Sequence, residues 1–362
     1  MKILFVAPRF HTNQFYLVKA LKKEGHDVSF FAITKGNSEN YNVLEPKIIK
    51  PSILFNLLKN IFKFNYSRTI RSFFPNIISY ALELKKAQPN LIIARDPNTI
   101  FLSFLTIILA KIFGIKAILY CQNPLETMPK TKRCVLLSKL LGFKWITPVK
   151  NIQDNIFQLN QFYFYVPFAI EVTSKKIVPC DKIKIISVGK FVERKNLHLL
   201  IKAVCDLKAK YDLSLTIIGE NSTPEHLQYF AKITDLIKQN NADDYITIKN
   251  NLPHNDILAE YQKHNLFVLP SSKEPASFSQ LEAMSCALPV ICSNDNGTSC
   301  YIKQNANGYL FEKDNENDLK NKIERVISSK DNILNFSNES IKLTINNHNP
   351  ENIIKRIFSL YD

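Results

Sequence analysis

The chain has 362 residues, of which 46% are hydrophobic, 11% aromatic and 22% charged, a globular composition that excludes a disordered or fibrous chain. That length exceeds what one hydrophobic core serves, so two domains of roughly 150–200 residues each are expected. The formal net charge is +15, and 8 glycines against 17 prolines argue against a glycine-rich binding loop.

The opening KILFVA, Lys2–Ala7, reads as an apolar core strand rather than a leader, because no apolar region ending in a small-residue cleavage site follows it. A turn at Pro8–Asn13 leads to a helix from Gln14 to Lys23, which Gly25 closes as its C′ residue. Asp27–Ile33 completes a strand–helix–strand unit of parallel-sheet type. From Lys50 to Phe74 the basic residues Lys59, Lys63, Arg68 and Arg71 alternate with Phe55, Phe62, Phe64, Tyr66, Phe73 and Phe74. Leu91–Ala94 is a short strand, Thr99–Phe113 a helix and Ala117–Cys121 a strand. The stretch Ile100–Tyr120 is the most apolar, but Lys111, Gly114 and Lys116 interrupt it and it is too short to span a bilayer cleanly. A second basic and apolar stretch runs from Lys130 to Lys150. Asn151–Gln158 reads as a helix, Tyr163–Val166 as a strand and Pro167–Pro179 as a connector.

The pattern then restarts. Strands are expected at Lys184–Val188, Leu213–Ile218, Ile246–Ile248, Leu266–Leu269, Pro289–Cys292 and Tyr309–Phe311. Helices are expected at Asn196–Lys210, Pro224–Gln239, His254–Lys263, Ser277–Cys286 and Asp314–Ser328. Two α/β units result, and ligands of open α/β sheets sit beyond the carboxyl ends of the strands, so function is sought in the loops that follow strands.

Seven cysteines, at 121, 134, 180, 205, 286, 292 and 300, contain no C-x-x-C pair. Their spacing suits neither a disulfide framework nor a zinc cage, and they read as reduced, mostly buried thiols of a cytoplasmic protein. The histidines show no metal-ligand spacing, so no metal is expected.

Residues 1–165 hold 23 of the 47 basic and 8 of the 32 acidic residues, so the whole excess of +15 lies in the first half. Such asymmetry points to an anionic partner. Basic residues interleaved with Leu, Phe and Trp suit an anionic membrane surface. The same mixture suits a domain face whose aromatics point inward, or single-stranded nucleic acid, although no nucleic-acid motif is visible.

Four loops carry chemistry. In KEPASFSQLEAMSCALPVICS, residues 273–293, a strand leads into a helix whose first N–H groups form an anion site. Glu274 in the loop and Glu282 in the helix are placed to meet a polyol such as ribose or a hexose. Ser279-x-x-Glu282 also has capping-box form, which would make Glu282 structural, and Ser277-x-x-Gln280 is a rival cap. In SVGKFVERKN, residues 187–196, Gly189 permits a tight exit from the strand; Lys190 and Lys195 can converge on a diphosphate, with Arg194 the neighbouring candidate, or stand solvated as lone loop lysines usually do. In APRFHTNQ, residues 7–14, His11, Thr12 and Asn13 sit at a cleft-facing turn, where Asn13 is equally an N-cap. In ARDPN, residues 94–98, Asp96 before Pro97 also reads as a turn former.

Together these segments resemble the retaining, nucleotide-sugar-dependent glycosyltransferases of family 4, with the GT-B fold. The resemblance is strongest over Ile183–Val326, about 40% of the chain. Its signature stands here as Glu274, seven residues, Glu282-Ala283-Met284, then Pro289-Val290, and the family's Gly-Arg-x-x-x-x-Lys-Gly segment as Gly189-Lys190 with Lys195-Asn196. The first half matches loosely, through the opening strand and Gly25-His26-Asp27-Val28. The chain departs from the family at Pro275, Lys190 (losing an arginine fork) and Asn196, at Phe10-His11-Thr12 in place of a glycine pair, and at Arg95 or Asp96 in place of a histidine.

The resemblance implies an α/β, GT-B architecture of two Rossmann-like doubly wound parallel-sheet domains facing a cleft. Residues 1–166 would be the basic acceptor domain, 167–349 the nucleotide-sugar domain, and 350–362 a helix crossing back to the first. Glu274, Lys190 and Lys195 would be catalytic, Glu274 touching the transferred sugar and the lysines the diphosphate. Gly189, Arg194, Ser277, Phe278, Ser279 and Glu282 would bind the donor, Glu282 through the ribose hydroxyls and Phe278 and Ser279 through their N–H groups. His11, Asn13, Arg95 and Asp96 would face the acceptor. No cofactor and no metal is implied, only a UDP- or GDP-sugar co-substrate, with retention by a front-face route and no protein nucleophile. The acceptor would be a glycan, lipid-linked, at the inner face of the cytoplasmic membrane, for envelope polysaccharide or lipopolysaccharide. A nucleotide-sugar epimerase and a catalytically silent partner subunit are the alternatives.

Overall fold

The structure is a computed structural model that describes residues 1–36, 39–122, 136, 138–150, 158–173 and 182–360. It contains two sheets. The first holds β1 (Lys2–Ala7), β2 (Asp27–Ala32), β3 (Lys47–Ile48), β4 (Leu91–Arg95), β5 (Lys116–Tyr120), β6 (Lys144–Thr147), β7 (Gln158–Asn160) and β8 (Tyr163–Tyr165). Their order is β3-β2-β1-β4-β5-β6-β8-β7, parallel except for the β7–β8 pair. The second holds β9 (Ile183–Val188), β10 (Leu213–Gly219), β11 (Ile246–Asn250), β12 (Leu266–Leu269), β13 (Val290–Ser293) and β14 (Gly308–Phe311). Its order is β11-β10-β9-β12-β13-β14, all parallel.

Both sheets reverse their winding at the first strand of the unit, between β1 and β4 and between β9 and β12. Crevices of open α/β sheets form at such switch points. The four loops singled out in the sequence follow these four strands.

The strands are near-continuous apolar runs because helices cover both faces of each sheet. Leu4 and Val6 point into one core and Ile3 and Phe5 into the other. The first of these cores lies beneath α2 (Ile53–Ile61), α4 (Ile77–Ala87) and α5 (Phe101–Ile112), while α3 (Tyr66–Ser72) buries no residue. The second lies beneath α1 (Thr12–Lys23). In the second sheet Ile185, Ile217 and Val268 pack under α6 (Leu197–Lys208), α7 (Pro224–Gln239) and α10 (Glu316–Ile327). Ile186, Phe267 and Leu269 face α8 (His254–Gln262) and α9 (Phe278–Ser285). The chain ends with α11 (Lys330–His348) and α12 (Pro350–Phe358). Asn349 caps α12 by accepting the N–H groups of Glu351 and Asn352, and Ile353, Ile354 and Ile357 join the core that holds Phe5 and Val18. No described helix is long and apolar enough to cross a membrane.

Several expectations need correction. α1 begins at Thr12, before Gln14, with His11 at the N-cap, so Asn13 lies inside the helix and is not its cap. The cap works through Gln14, whose side chain accepts the His11 N–H at 3.3 Å. Of the readings left open for the stretch from Lys130 to Lys150, its described part fits aromatics that point inward: it contains β6, and Phe143 and Trp145 are buried, the indole N–H donating to Ser138 Oγ at 2.9 Å. The helix expected at Asn151–Gln158 falls outside the described residues, except for Gln158 in β7. Cys121, Cys286 and Cys292 are buried and Cys205 and Cys300 partly so, all as free thiols, while Cys134 and Cys180 lie outside the described residues.

The two halves meet along a seam close to residues 167–173. The Tyr301 hydroxyl donates to Pro148 O at 3.1 Å and accepts the Phe168 N–H at 3.2 Å. His348 Nδ1 lies 2.9 Å from Phe168 O. Tyr16 of α1 rests against Phe278 of α9, ring centroids 6.2 Å apart.

Candidate active site

The loop after β12 presents Glu274, and the 3₁₀ turn Glu193–Lys195 after β9 presents two cations to it. Arg194 Nη1 lies 2.5 Å and Lys195 Nζ 2.6 Å from the same Glu274 Oε2. Glu274 is buried, and burial pushes its carboxyl up, but the charges of Lys195 and Arg194 override this and hold it below the usual carboxylate range. It is therefore ionised at neutral pH. Two cations share one carboxylate, so the cluster keeps an excess positive charge.

Three local features hold this geometry. Lys195 crosses the face of Gly189, where a Cβ would stand 2.9 Å from Lys195 Cε. Asn196 takes the left-handed conformation, φ 48°, and its amide donates to Ser272 Oγ and Asp314 Oδ1. A left-handed position favours Gly and tolerates Asn, which accounts for the Asn in place of the family's glycine. Gly297 donates its N–H to Glu274 O at 2.9 Å, and a Cβ there would stand 1.9 Å from Pro275 O.

Beside the cluster α9 opens. Ser277 caps it, its Oγ accepting the Gln280 N–H at 3.3 Å. The N–H groups of Phe278 and Ser279 meet no acceptor among the described residues. They add a helix N-terminus to the positive cluster.

The Ser279-x-x-Glu282 capping box does not form. Glu282 is buried and turns to α8, with Oε1 2.5 Å from His254 Nε2 and Oε2 3.3 Å from the Tyr261 hydroxyl. Burial pushes the His254 ring down, but the hydrogen bond and charge of Glu282 more than offset this and raise it. Tyr16 completes this corner: burial, then the neighbouring Glu282 charge, push its hydroxyl up.

Lys190 does not join the Glu274 cluster. It is half-exposed and lies 3.3 Å from Glu220 Oε2, just past β10. Across the cleft stands the loop after β1. Arg9 Nε lies 3.0 Å from Glu39 Oε1 and 3.3 Å from the His11 ring. Burial, then Arg9, Arg95 and Lys190, hold the His11 ring well below its ordinary value, which makes it neutral. Asn13 Oδ1 is buried and lacks a hydrogen-bond partner among the described residues. Asp96 is buried as a turn former, accepting the Asn98 N–H at 2.9 Å, with Cys121 Sγ 3.7 Å from its other oxygen. Arg95 lies over the Tyr120 ring at 5.3 Å.

The structure therefore gathers Gly189, Arg194, Lys195 and Glu274 into one cluster and sets Glu282 in another corner of the second half. His254, Tyr261, Tyr16, Arg9, Glu39, Glu220 and Gly297 are site neighbours that no sequence motif marks. Among the described residues no group of three or more His, Cys, Asp or Glu is placed to hold a metal ion.

Comparison with known proteins bears on the family and the fold. Residues 171–343 match the family described as Glycosyl transferases group 1. The chain is 24% identical to an uncharacterized glycosyltransferase of Haemophilus influenzae, covering 94% of this chain and 92% of that one. It is 35% identical over 108 residues to the UDP-Gal:alpha-D-GlcNAc-diphosphoundecaprenol alpha-1,3-galactosyltransferase of Escherichia coli, covering 30% of this chain and only 27% of that enzyme. Among solved structures, HepE of Anabaena in complex with UDP and glucose superposes with a TM-score of 0.75 at 15% identity, covering 99% of each chain. That likeness extends through both domains and shows the fold. Residues 171–343, just under half of the chain, thus resemble the group 1 glycosyl transferases, and the whole chain carries the GT-B fold.

Proposed function

We propose that the chain is a retaining glycosyltransferase that moves a sugar from a UDP- or GDP-sugar to a hydroxyl of a lipid-linked glycan acceptor in envelope polysaccharide or lipopolysaccharide synthesis. The observation that carries this reading is the cluster of Arg194 and Lys195 on Glu274 beside the N–H groups of Phe278 and Ser279 at the start of α9. It offers a diphosphate two cations and a helix N-terminus at one place. Developing negative charge on a leaving group is stabilised by such preorganised donors, each worth roughly 10²–10³ in rate.

In this reading the donor's C1–O bond to the diphosphate breaks while the acceptor oxygen bonds C1 on the same face. The acceptor proton passes to the leaving phosphate. Glu274, held ionised by both cations, orients the sugar hydroxyls and is not the nucleophile. Glu282 accepts from the ribose hydroxyls, with His254 and Tyr261 fixing its carboxylate. Arg194 and Lys195 supply the positive charge, so no metal is required. His11, Asn13 and Arg95 line the acceptor side. The named acceptor of the Escherichia coli relative supports a lipid-linked acceptor, and the UDP bound by HepE supports a uridine donor.

The test is turnover of UDP- and GDP-sugars with polyprenyl-diphosphate-linked sugar acceptors, followed by proton NMR of the new anomeric centre. Acceptor-dependent release of nucleoside diphosphate with an unchanged anomeric configuration supports the reading. Conversion of the nucleotide sugar without an acceptor overturns it in favour of an epimerase, and absence of turnover with intact nucleotide binding in favour of a silent subunit.

A further inference from the structure

Between Glu45 and Glu83 the chain contains no acidic residue, yet it carries Lys47, Lys50, Lys59, Lys63, Arg68 and Arg71. This stretch builds β3, α2, α3 and the start of α4. α2 turns Phe55 inward, where it packs on Phe64, Phe73 and Phe74. Its other apolar residues turn outward: Ile53 is 82% and Ile61 70% exposed, with Leu54 and Leu57 between them. These positions lie on one helical face. α4 does the same, burying Tyr80 and Leu84 while Ile78, 73% exposed, and Leu82 face out. Scattered exposed hydrophobics are ordinary, whereas a contiguous face of them marks a docking site.

The face is contiguous. Pro51 and Pro75 form a bridge, and the Ser52 N–H donates to Phe74 O at 3.1 Å, which sets the starts of α2 and α4 side by side. Phe62, Phe64 and Arg68 continue it, the guanidinium lying 4.2 Å from the Phe64 ring centroid. Lys47 pairs with Glu83, but Lys59, Lys63, Arg68 and Arg71 meet no carboxylate among the described residues. The position in the fold also matters. α2 leaves the carboxyl end of β3, which runs parallel to β2 and β1, so the face begins at the sheet end that carries the loops after β1 and β4.

We infer that the outer face of α2, α3 and α4 docks on an anionic lipid bilayer, the apolar side chains entering the interface and Lys59, Lys63, Arg68 and Arg71 meeting the lipid phosphates. Apolar burial and attraction to anionic lipid add at such a surface. A protein partner able to cover both features would need an acidic, apolar complement of the same extent; a bilayer provides it without a matched shape. In the proposed transfer reaction, a lipid-linked acceptor would then be met at the edge of the cleft.

The experiment is co-sedimentation of the full chain with vesicles of phosphatidylglycerol and phosphatidylcholine, against vesicles of phosphatidylcholine alone. Three proteins are compared: the parent, a triple variant Ile53→Asn, Leu57→Asn, Ile61→Asn, and a double variant Lys59→Gln, Lys63→Gln. Circular dichroism melting of each reports folding, and the double variant removes no apolar contact. The parent sediments with the anionic vesicles and at least about tenfold less with the neutral ones. The triple variant stays in the supernatant, and the double variant falls about thirtyfold, and by more at low salt than at high. No vesicle binding by the parent, or equal binding by the folded triple variant, overturns the inference. So does a parent dimer in solution that the triple variant converts to monomer without any vesicle binding, which assigns the face to a second copy of the chain. No donor or acceptor is present, so failure here leaves the transfer reaction standing, and an inactive protein that still sediments leaves the docking face standing.

Discussion

Lys195 Nζ and Glu274 Oε2 lie 2.6 Å apart although 79 residues separate them in the chain. The pair joins the loops after β9 and β12, the two strands between which the second sheet reverses its winding. Both groups are buried, and Arg194 makes the second contact to the same oxygen. Replacing Lys195 by Met is expected to lower turnover by roughly 10²–10³. Glu274 keeps Arg194, so the cost in stability is about 1–3 kcal/mol rather than the larger cost of an isolated buried charge. Steady-state kinetics and thermal melting separate the two effects.

The two glycines at the site are expected to respond differently to alanine. At Gly297 the added Cβ meets a backbone oxygen at 1.9 Å, and the Glu274–Pro275 segment must shift. Gly297→Ala is therefore expected to cost about 1–3 kcal/mol and most of the activity. At Gly189 the added Cβ meets the flexible Lys195 chain at 2.9 Å. Gly189→Ala is expected to melt near the parent while losing activity, because the lysine swings away from Glu274.

His254 gains Glu282 as a partner on folding, and its ring is raised above 6.5. Its contribution to stability is fully present below pH 6.5 and is lost as pH rises through the raised value. The groups that face it are Glu282 directly, and Tyr261 and Tyr16 through that carboxylate. His254→Gln is expected to remove this alkaline loss from the melting curve. Melts of both proteins from pH 6 to 9 are the check.

His348 behaves in the opposite sense. Burial lowers its ring from 6.5 to about 4, while its Nδ1 bonds Phe168 O at the seam. The unfolded chain then binds a proton that the folded chain refuses, so stability falls as pH drops from 6.5 toward 4, by about 3 kcal/mol for this residue at most. His348→Asn is expected to flatten that acid limb in denaturant titrations between pH 4 and 7.

In the proposed mechanism Arg194 and Lys195 supply the positive charge at the leaving group, so turnover is expected to be unchanged by EDTA. A loss of activity restored by a divalent cation contradicts this part of the mechanism.

The parallel α/β architecture was legible because strands buried on both faces are written as unbroken apolar runs, such as Lys2–Ala7 and Leu266–Leu269. The loops after β1, β4, β9 and β12 could be found for the same reason, since each follows such a run. Elements in which burial and charge are mixed were harder to read. β6 lies in a basic stretch, and only the sheet shows that Trp145 points inward. α2 and α4 carry apolar residues on both faces, so periodicity does not mark a helix there. The role of Glu282 was ambiguous because its partner His254 belongs to another element, 28 residues away. Lys190 and Lys195 look equivalent in sequence, and only the turn Glu193–Lys195 turns one toward Glu274 and leaves the other to Glu220.

The most direct measurement is thermal stabilisation of the parent and of Glu282→Ala by a panel of UDP-, GDP-, ADP- and CMP-sugars. At a hundredfold excess over Kd, binding adds about 2.7 kcal/mol to the folded state. The account predicts a shift of the parent by one nucleotide class, UDP or GDP, and its loss in Glu282→Ala, where two hydroxyl contacts disappear. A parent that none of the nucleotide sugars stabilises, or a Glu282→Ala protein stabilised as strongly as the parent, contradicts it.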